Sequence, residues 1–242
     1  MVLQINQPLR YPQPASANVA TIDELPNFYY WTHTDDGLGQ AQLEAGINRM
    51  LEVDAPSGLR RPAVLIRSST HKAGSATTPW QDNYDMDSGR IRYFGDAKAK
   101  HMPNPHDVPG NKVMRSLFEQ HRSPELADRI NAAPLLFFVA KRQGVVEFRG
   151  VGLVESVELV SQVDPEGKAF SNYAYDCALL SLAKEGEQLD WGWISKRKNK
   201  DLTDEEALEL APESWKAWVA EGSDSLARVR RVVARVGLVK KE

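Results

Sequence analysis

The sequence predicts an α+β fold: a curved, barrel-like β-sheet with helices packed outside it and a helical C-terminal segment. Three observations carry this. A continuous apolar run, Leu135 to Val139, is followed by strand-like stretches over Val145–Val163 and Phe170–Leu182, with Asp164-Pro165-Glu166-Gly167 as the turn between the last two. Segments with helical spacing fall among these strands and are expected to pack outside the sheet. After Trp191-Gly192-Trp193 the pattern turns helical, opening with Thr203 and Glu206 spaced as a capping box.

In chain order, Pro8, Pro12, Pro14 and Pro26 predict an irregular start before the aromatic run Phe28-Tyr29-Tyr30-Trp31. Leu43, Ile47, Met50 and Leu51 recur at helical spacing and predict an amphipathic helix over 39–52. Pro62 opens a short strand, Ala63–Ile66. The stretch Ser68–Pro79 is long, small and polar, the kind of loop that ordered domains keep for a function. Arg90–Phe94 reads as a strand closed by Gly95. A Pro/Gly-rich stretch, His101–Gly110, leads to a helix with Val113, Met114, Leu117 and Phe118 on one face. Ser123-Pro124 predicts the start of a short helix ending at Asn131. Gly150-x-Gly152, between strand-like segments, reads as a bulge. Trp191 and Trp193 share one side if extended, in a core role, with Lys196, Arg197 and Lys198 beyond them as candidate phosphate contacts. Helices follow over 203–210, from Pro212, and from Ser225, the last with Leu226, Val229, Val232, Val233 and Val236 on one face and Arg228, Arg230, Arg231 and Arg235 outside. The expected division is an extension (1–58), a core (59–200) and a helical C-terminal segment (201–242).

The 242 residues are 42% hydrophobic and 26% charged, an ordinary globular composition. A chain this long buries roughly 70% of its unfolded surface and folds without staples. Its single cysteine, Cys177, excludes a disulfide framework and a Cys-based zinc site. No apolar run reaches the ~18 residues of a membrane span, and Met1–Arg10 has no signal-peptide core, so a soluble, cytoplasmic protein is expected. The net charge of -3 is polarised: residues 57–115 hold ten Lys/Arg against five Asp, leaving -8 elsewhere. A basic block on an acidic chain is where a polyanion docks, although a solvated face has the same composition.

Within that block, Trp80-Gln81-Asp82-Asn83-Tyr84-Asp85 and Arg90-Ile91-Arg92-Tyr93-Phe94-Gly95-Asp96 place aromatic rings beside carboxylates and amides. Extracting a nucleobase takes these types together: flat rings for its faces, a carboxylate or amide for its Watson–Crick edge, and cations for the flanking phosphates. The competing reading makes Trp80 and Tyr93 core aromatics and the aspartates turn residues. Asp96-Ala97-Lys98, with Asp85 or Asp87 upstream, also outlines a Mg²⁺-dependent PD-(D/E)xK nuclease site, although D-x-K is a cheap pattern and neither upstream Asp follows a proline. None of the five histidines sits in a metal-ligand spacing.

The order of aromatic, carboxylate, acidic turn, Tyr93-Phe94-Gly95-Asp96 and Gly110-Asn111-Lys112 resembles the SRA (SET- and RING-associated) domain. Leu65-Ile66-Arg67-Ser68-Ser69, the Trp80–Asp96 segment, Pro134-Leu135-Leu136-Phe137-Phe138 and Asp190-Trp191-Gly192-Trp193-Ile194 resemble more closely the SRA-like N-terminal domains of AspBHI-type modification-dependent restriction endonucleases. The resemblance spans about residues 60–200. It implies a noncatalytic module, without cofactor or metal, that flips 5-methylcytosine or 5-hydroxymethylcytosine out of duplex DNA. The implied partners are that DNA and a nuclease domain or protein, which would associate the chain with the nucleoid. Trp80 and Tyr93 become the ring positions and Asp82 the carboxylate, with Gln81, Phe94 and Asp96 lining the pocket. Arg67, Ser69, His71, Lys72, Arg90, Arg92, Lys98, Lys100, Asn111 and Lys112 become loop and backbone contacts. The chain departs from the vertebrate-type SRA pattern in having Trp at the first ring, and Phe94-Gly95-Asp96 where that pattern has Thr-Gly-Ser.

Overall fold

Strands buried on both faces read as continuous apolar runs, and this explains the centre of the molecule. In the computed structural model, which describes residues 1–12, 18–33, 41–69, 80–97, 104–164 and 166–233, neighbouring residues of β8 (Val64–Ser69) and β11 (Leu135–Arg142) feed two different cores. Leu65, Leu136 and Phe138 join one; Val64, Ile66, Leu135 and Phe137 join the other. The first core is closed by Phe28, Tyr29, Trp191, Trp193, Trp215 and Trp218. The second is closed by Met114 and Leu117 of helix α2 (Pro109–Arg122) and is rich in tyrosine: Tyr93, Tyr173 and Tyr175.

Among the described residues the main sheet has eight strands, beside small two-stranded pairs, among them β3 (Thr21–Ile22) with β4 (Leu25–Pro26) and β6 (Val53–Ala55) with β7 (Gly58–Arg60). With β5 (Ile47–Arg49), β9 (Asn83–Asp85), β10 (Arg90–Phe94), β12 (Val145–Val163) and β13 (Ala169–Leu179), its order is β5-β8-β11-β12-β13-β10-β9, and β2 (Pro8–Arg10) adds to β12. β8 and β11 are parallel; the other pairs are antiparallel. The sheet is open, not a closed barrel, and the α+β class is as expected. β12 crosses both cores and bends at bulges; Gly150 has φ +129°, and a Cβ on Gly152 would lie 2.2 Å from the Ala178 carbonyl. The hairpin turn forms as predicted, with the Asp164 carboxylate accepting from the Glu166 and Lys168 amides.

Four local expectations give way to tertiary pairing. Residues 41–52 form no helix: Leu43 and Met50 enter the first core, Ile47 enters the second as part of β5, and Leu51 is 61% exposed, so the apparent stripe serves different faces. The opening is not irregular, because β1 (Val2–Gln4) pairs with β14 (Gln188–Asp190), and Pro8 sits at the first position of β2, where a missing N–H is tolerated. Trp191 and Trp193 are core residues but not on a strand: Trp191 precedes α4 (Gly192–Lys198), whose first amide is capped by Asp190. The last helix, α7 (Leu226–Val229), stops early. Arg231 N–H donates to Leu179 O and Val233 N–H to Asp87 O, drawing 230–233 out as an extended strap with Val232 67% exposed. Val236 and Arg235 lie outside the described residues. Ser123 accepts from Glu125 N–H, and α3 (Leu126–Asn131) begins just after.

The Lys196–Lys198 run is not a phosphate surface. Arg197 is fully buried, Lys198 nearly so, and Lys196 pairs with Glu209. Arg197 donates to the carbonyls of Arg61, Pro62, Ile130, Asn131 and Ala132. Beside it, buried Arg60 bonds Asp204 at 2.9 Å and the carbonyls of Arg197, Asn199 and Leu202. Thr203 and Glu206 close the predicted capping box on α5 (Asp204–Leu208). Arg228, Arg230 and Arg231 pair with Glu221, Glu155 and Glu187, and so offer no basic outer face. Among the described residues no helix is long and apolar enough to cross a membrane.

Candidate nucleic-acid interface

Hairpin β9–β10 is set by its turn. The Asp85 carboxylate accepts from the amides of Asp87 and Ser88 and from the Ser88 hydroxyl, and Gly89 supplies φ +63°. The register Tyr84↔Ile91 and Asn83↔Arg92 then puts Tyr84 and Ile91 inward. Extended by one pair, it places Asp82 beside Tyr93 on the same inward face.

Asp82 is held from two sides. Its Oδ2 accepts from Ser68 Oγ at 2.5 Å and its Oδ1 from Phe94 N–H at 2.9 Å. Ser68 Oγ also lies 2.9 Å from the Tyr84 hydroxyl, whose ring packs edge-on against Phe137. Burial pushes the Asp82 carboxyl up to about 6, against the pull of those two hydrogen bonds. Tyr93 is 3% exposed, and burial, then the charges of Asp96 and Asp82, hold its hydroxyl well above the usual phenol range. Glycine is required around it: a Cβ on Gly46 would lie 2.7 Å from the Tyr93 hydroxyl, and one on Gly110 would lie 2.4 Å from an Asp96 oxygen.

Two buried amides clamp the turn after β10. Asn111 accepts from Asp96 N–H and donates to Pro105 O; Asn172 accepts from Ala97 N–H and donates to Gly95 O. Asn111 is fully buried and its side chain is spent on holding the turn, not presented at the surface as a DNA contact, contrary to the sequence expectation.

Strand alternation separates the two ring positions. Phe94 points away from Tyr93, and Trp80 leans on Phe94 and on Phe170, at centroid distances of 6.3 and 6.0 Å. Trp80 and Tyr93 thus flank β10 instead of facing each other. Gln81 is exposed beside them.

The predicted cations divide. Arg67 bonds the Tyr11 hydroxyl and Glu44 O and stacks over the Tyr11 ring, and Arg92 is paired with Asp176 and Glu158, so both are committed within the fold. Arg90 is exposed, Lys112 is exposed with Asp107 at 3.4 Å, and Ser69 is half-buried at the end of β8. His71, Lys72, Lys98 and Lys100 lie outside the described residues. The nuclease outline loses Asp85 to its turn, and among the described residues no group of three or more His, Cys, Asp or Glu converges to hold a metal ion. Sequence reasoning missed Ser68, Tyr84 and Asn172. The signal for Ser68 was present, since Val64, Ile66 and Ser68 alternate along one face and only the last is polar.

The chain is thus an α+β protein whose open sheet carries a half-buried carboxylate, Asp82, beside hairpin β9–β10. This chain belongs to the AspBHI N-terminal family, described as restriction endonuclease AspBHI N-terminal, whose model matches residues 34–229. It is similar to the MspJI restriction endonuclease solved in complex with a 27-mer oligonucleotide, at 36% identity and TM-score 0.88, over 98% of this chain and 55% of that one. The chain therefore spans about half the length of that relative. It shares the fold of the DNA recognition domain of the cytosine modification-dependent restriction endonuclease LpnPI, at 18% identity and TM-score 0.64, over 98% of this chain and 93% of that one. No curated protein matches.

Proposed function

We propose that this chain is the recognition module of a modification-dependent restriction or methyl-DNA-sensing system. It binds duplex DNA carrying 5-methylcytosine or 5-hydroxymethylcytosine by flipping the modified base out of the stack. The observation that carries this reading is Asp82: a half-buried carboxylate that accepts from Ser68 and Phe94 N–H yet keeps acceptor capacity, beside Tyr93 and inside the basic block. Carboxylates accept from cytosine N4. Tyr93 and Trp80 supply rings for the base and its surroundings, and Gln81, Phe94 and Asp96 border the site. Arg90, Lys112 and Ser69, with the loop residues His71, Lys72, Lys98 and Lys100, serve the phosphates and the gap left in the stack. The relative LpnPI, a cytosine modification-dependent restriction endonuclease, agrees with this substrate class, and the share of the MspJI restriction endonuclease that this chain leaves unmatched leaves room for a separate nuclease unit. Cleavage is assigned to that unit, not to this chain.

The test is a gel shift with matched duplexes carrying C, 5-methylcytosine or 5-hydroxymethylcytosine, in EDTA and then in Mg²⁺. The modified duplexes shift preferentially and remain intact in both. A 2-aminopurine beside the target brightens on binding as its neighbour leaves the stack. Equal binding of all three duplexes, or tight binding without a fluorescence change, refutes the reading.

A further inference from the structure

Ser68 Oγ lies 2.5 Å from Asp82 Oδ2 and 2.9 Å from the Tyr84 hydroxyl oxygen, and a serine has one proton to give. With that proton on the Asp82 carboxylate, the Ser68–Tyr84 contact has to be donated by Tyr84. The order is therefore Tyr84 O–H to Ser68 Oγ, and Ser68 O–H to Asp82. We infer that Ser68 and Tyr84 are specificity-determining positioning residues: their donor relay holds Asp82 as an acceptor-only carboxylate, so that the site takes a base edge bearing an amino group and refuses one bearing a carbonyl. This rests on the assignment of Asp82 to the base edge under Proposed function.

The chemistry follows from donor and acceptor counting. An ionised Asp82 faces cytosine N4–H₂ as acceptor to donor, and thymine O4 as acceptor to acceptor. A protonated Asp82 carries its own O–H and can donate to thymine O4 while accepting from N3–H, so refusal of thymine disappears. Both hydrogen bonds to Asp82 favour its ionised form, while burial opposes it. The relay thus works near its tipping point, and removing the Ser68 hydroxyl shifts the balance toward the acid. The groups facing Asp82 from the elements around it are Ser68 on β8, Tyr84 on β9, Tyr93 and the Phe94 amide on β10, and Cys177 on β13, with Asp96 on the turn beyond Tyr93. Burial holds Tyr84, Tyr93 and Cys177 protonated. Among the described residues none of the groups named here is a cation, and Arg149, a cation that bears on the relay, acts on Tyr84.

The experiment measures affinity for duplexes in which the target base, 5-methylcytosine or thymine, stands opposite an abasic site, so that neither base has to be unpaired. Binding by the full 242-residue chain is followed by fluorescence anisotropy from pH 5 to 8.5. The unmodified chain favours 5-methylcytosine over thymine by about tenfold above pH 7, and the preference fades below pH 6. In Ser68→Ala the preference at pH 7.5 falls to about twofold, and its rise moves up by about one pH unit. Ser68→Thr, which keeps the hydroxyl, restores both. Tyr84→Phe moves the rise in the same direction by a smaller amount, and removes a single oxygen should Ser68→Ala fail to fold. If Asp82→Asn loses the preference while Ser68→Ala and Tyr84→Phe keep the preference and pH midpoint of the unmodified chain, the relay is wrong and the base-edge role of Asp82 stands. If the unmodified chain shows no preference among 5-methylcytosine, cytosine and thymine at any pH, the proposed function itself fails and the relay with it.

Discussion

Arg197 is fully buried and Asp82 half-buried, but Arg197 spends its guanidinium on five main-chain carbonyls while Asp82 accepts from one hydroxyl and one amide. Burial and the nearby charge of Arg60 lower Arg197 to about 9, still far enough up to keep it charged at neutral pH. Burial, against the pull of those two hydrogen bonds, raises Asp82 to about 6, within reach of neutral pH. The first arrangement is saturated, so nothing can be added to it. The second retains lone pairs that no donor among the described residues fills, and that unused capacity distinguishes a recognition group from a joint. Burial of a charge by itself does not separate the two roles; the count of satisfied hydrogen bonds does.

The largest effect expected is on the joint. Arg197→Ala leaves five main-chain carbonyls without their guanidinium donor, costing about 3–5 kcal/mol of stability. Denaturant unfolding measures it, and the fraction that stays folded keeps its preference for the modified base. A loss of preference at full stability would reverse the assignment of the two sites.

Acid unfolding sharpens the contrast through His121. This buried imidazole accepts from Val154 N–H at Nδ1 and lies 3.0 Å from Ala133 O at Nε2, so it is the neutral Nε2–H tautomer, and burial lowers it to about 4. From pH 6.5 down to about 4 the unfolded chain takes up this proton and the folded chain does not, so stability falls by about 3 kcal/mol. Asp82 acts in the opposite sense. Its folded value is above its unfolded value, so the folded chain binds the extra proton between about pH 6 and 4 and gains about 3 kcal/mol as pH falls. The two terms offset one another in the unmodified protein. Asp82→Asn uncovers the histidine term, and its stability drops about 3 kcal/mol more than that of the unmodified protein between pH 6.5 and 4. Parallel curves for the two would show that Asp82 titrates normally.

Trp80 gives the smallest effect and settles on which side of the comparison the Trp80–Phe94–Phe170 cluster belongs. If it serves the DNA, Trp80→Ala weakens binding of the modified duplex by ~1–3 kcal/mol, the range of base–aromatic stacking. The melting temperature then changes little, because the ring is half-buried. A melting loss with unchanged affinity assigns it to the core.

Much of the fold was legible because the strands around the site obey simple rules. Arg90–Phe94 alternates, Leu135–Val139 is buried on both faces, and Asp164–Gly167 has turn chemistry. The stretch 41–52 was not, since Leu43, Ile47 and Met50 imitate a helical stripe while serving two cores on opposite faces of a sheet. The site was half legible. Asp82 and Tyr93 share a face as their spacing allows, but Trp80 follows the parity of Phe94, which depends on Phe170 from a strand distant in sequence. Asn111 follows Pro109-Gly110 at the start of a helix and looks like a surface residue. Its burial depends on Pro105 and Asn172, and no local pattern announces a partner 61 residues away.

The pairing of Val2–Gln4 with Gln188–Asp190 has a consequence for synthesis. Val2–Gln4 is synthesised long before its partner strand Gln188–Asp190, by about 10–40 s at bacterial and eukaryotic elongation rates. The Arg197 side chain, which gathers carbonyls from residues 61–62 and 130–132, arrives later still. During that interval β8 and β11, apolar on both faces, have no complete cover, so nascent chains stalled before residue 190 should be caught by holding chaperones or aggregate, whereas chains released beyond residue 233 should close in a single cooperative step.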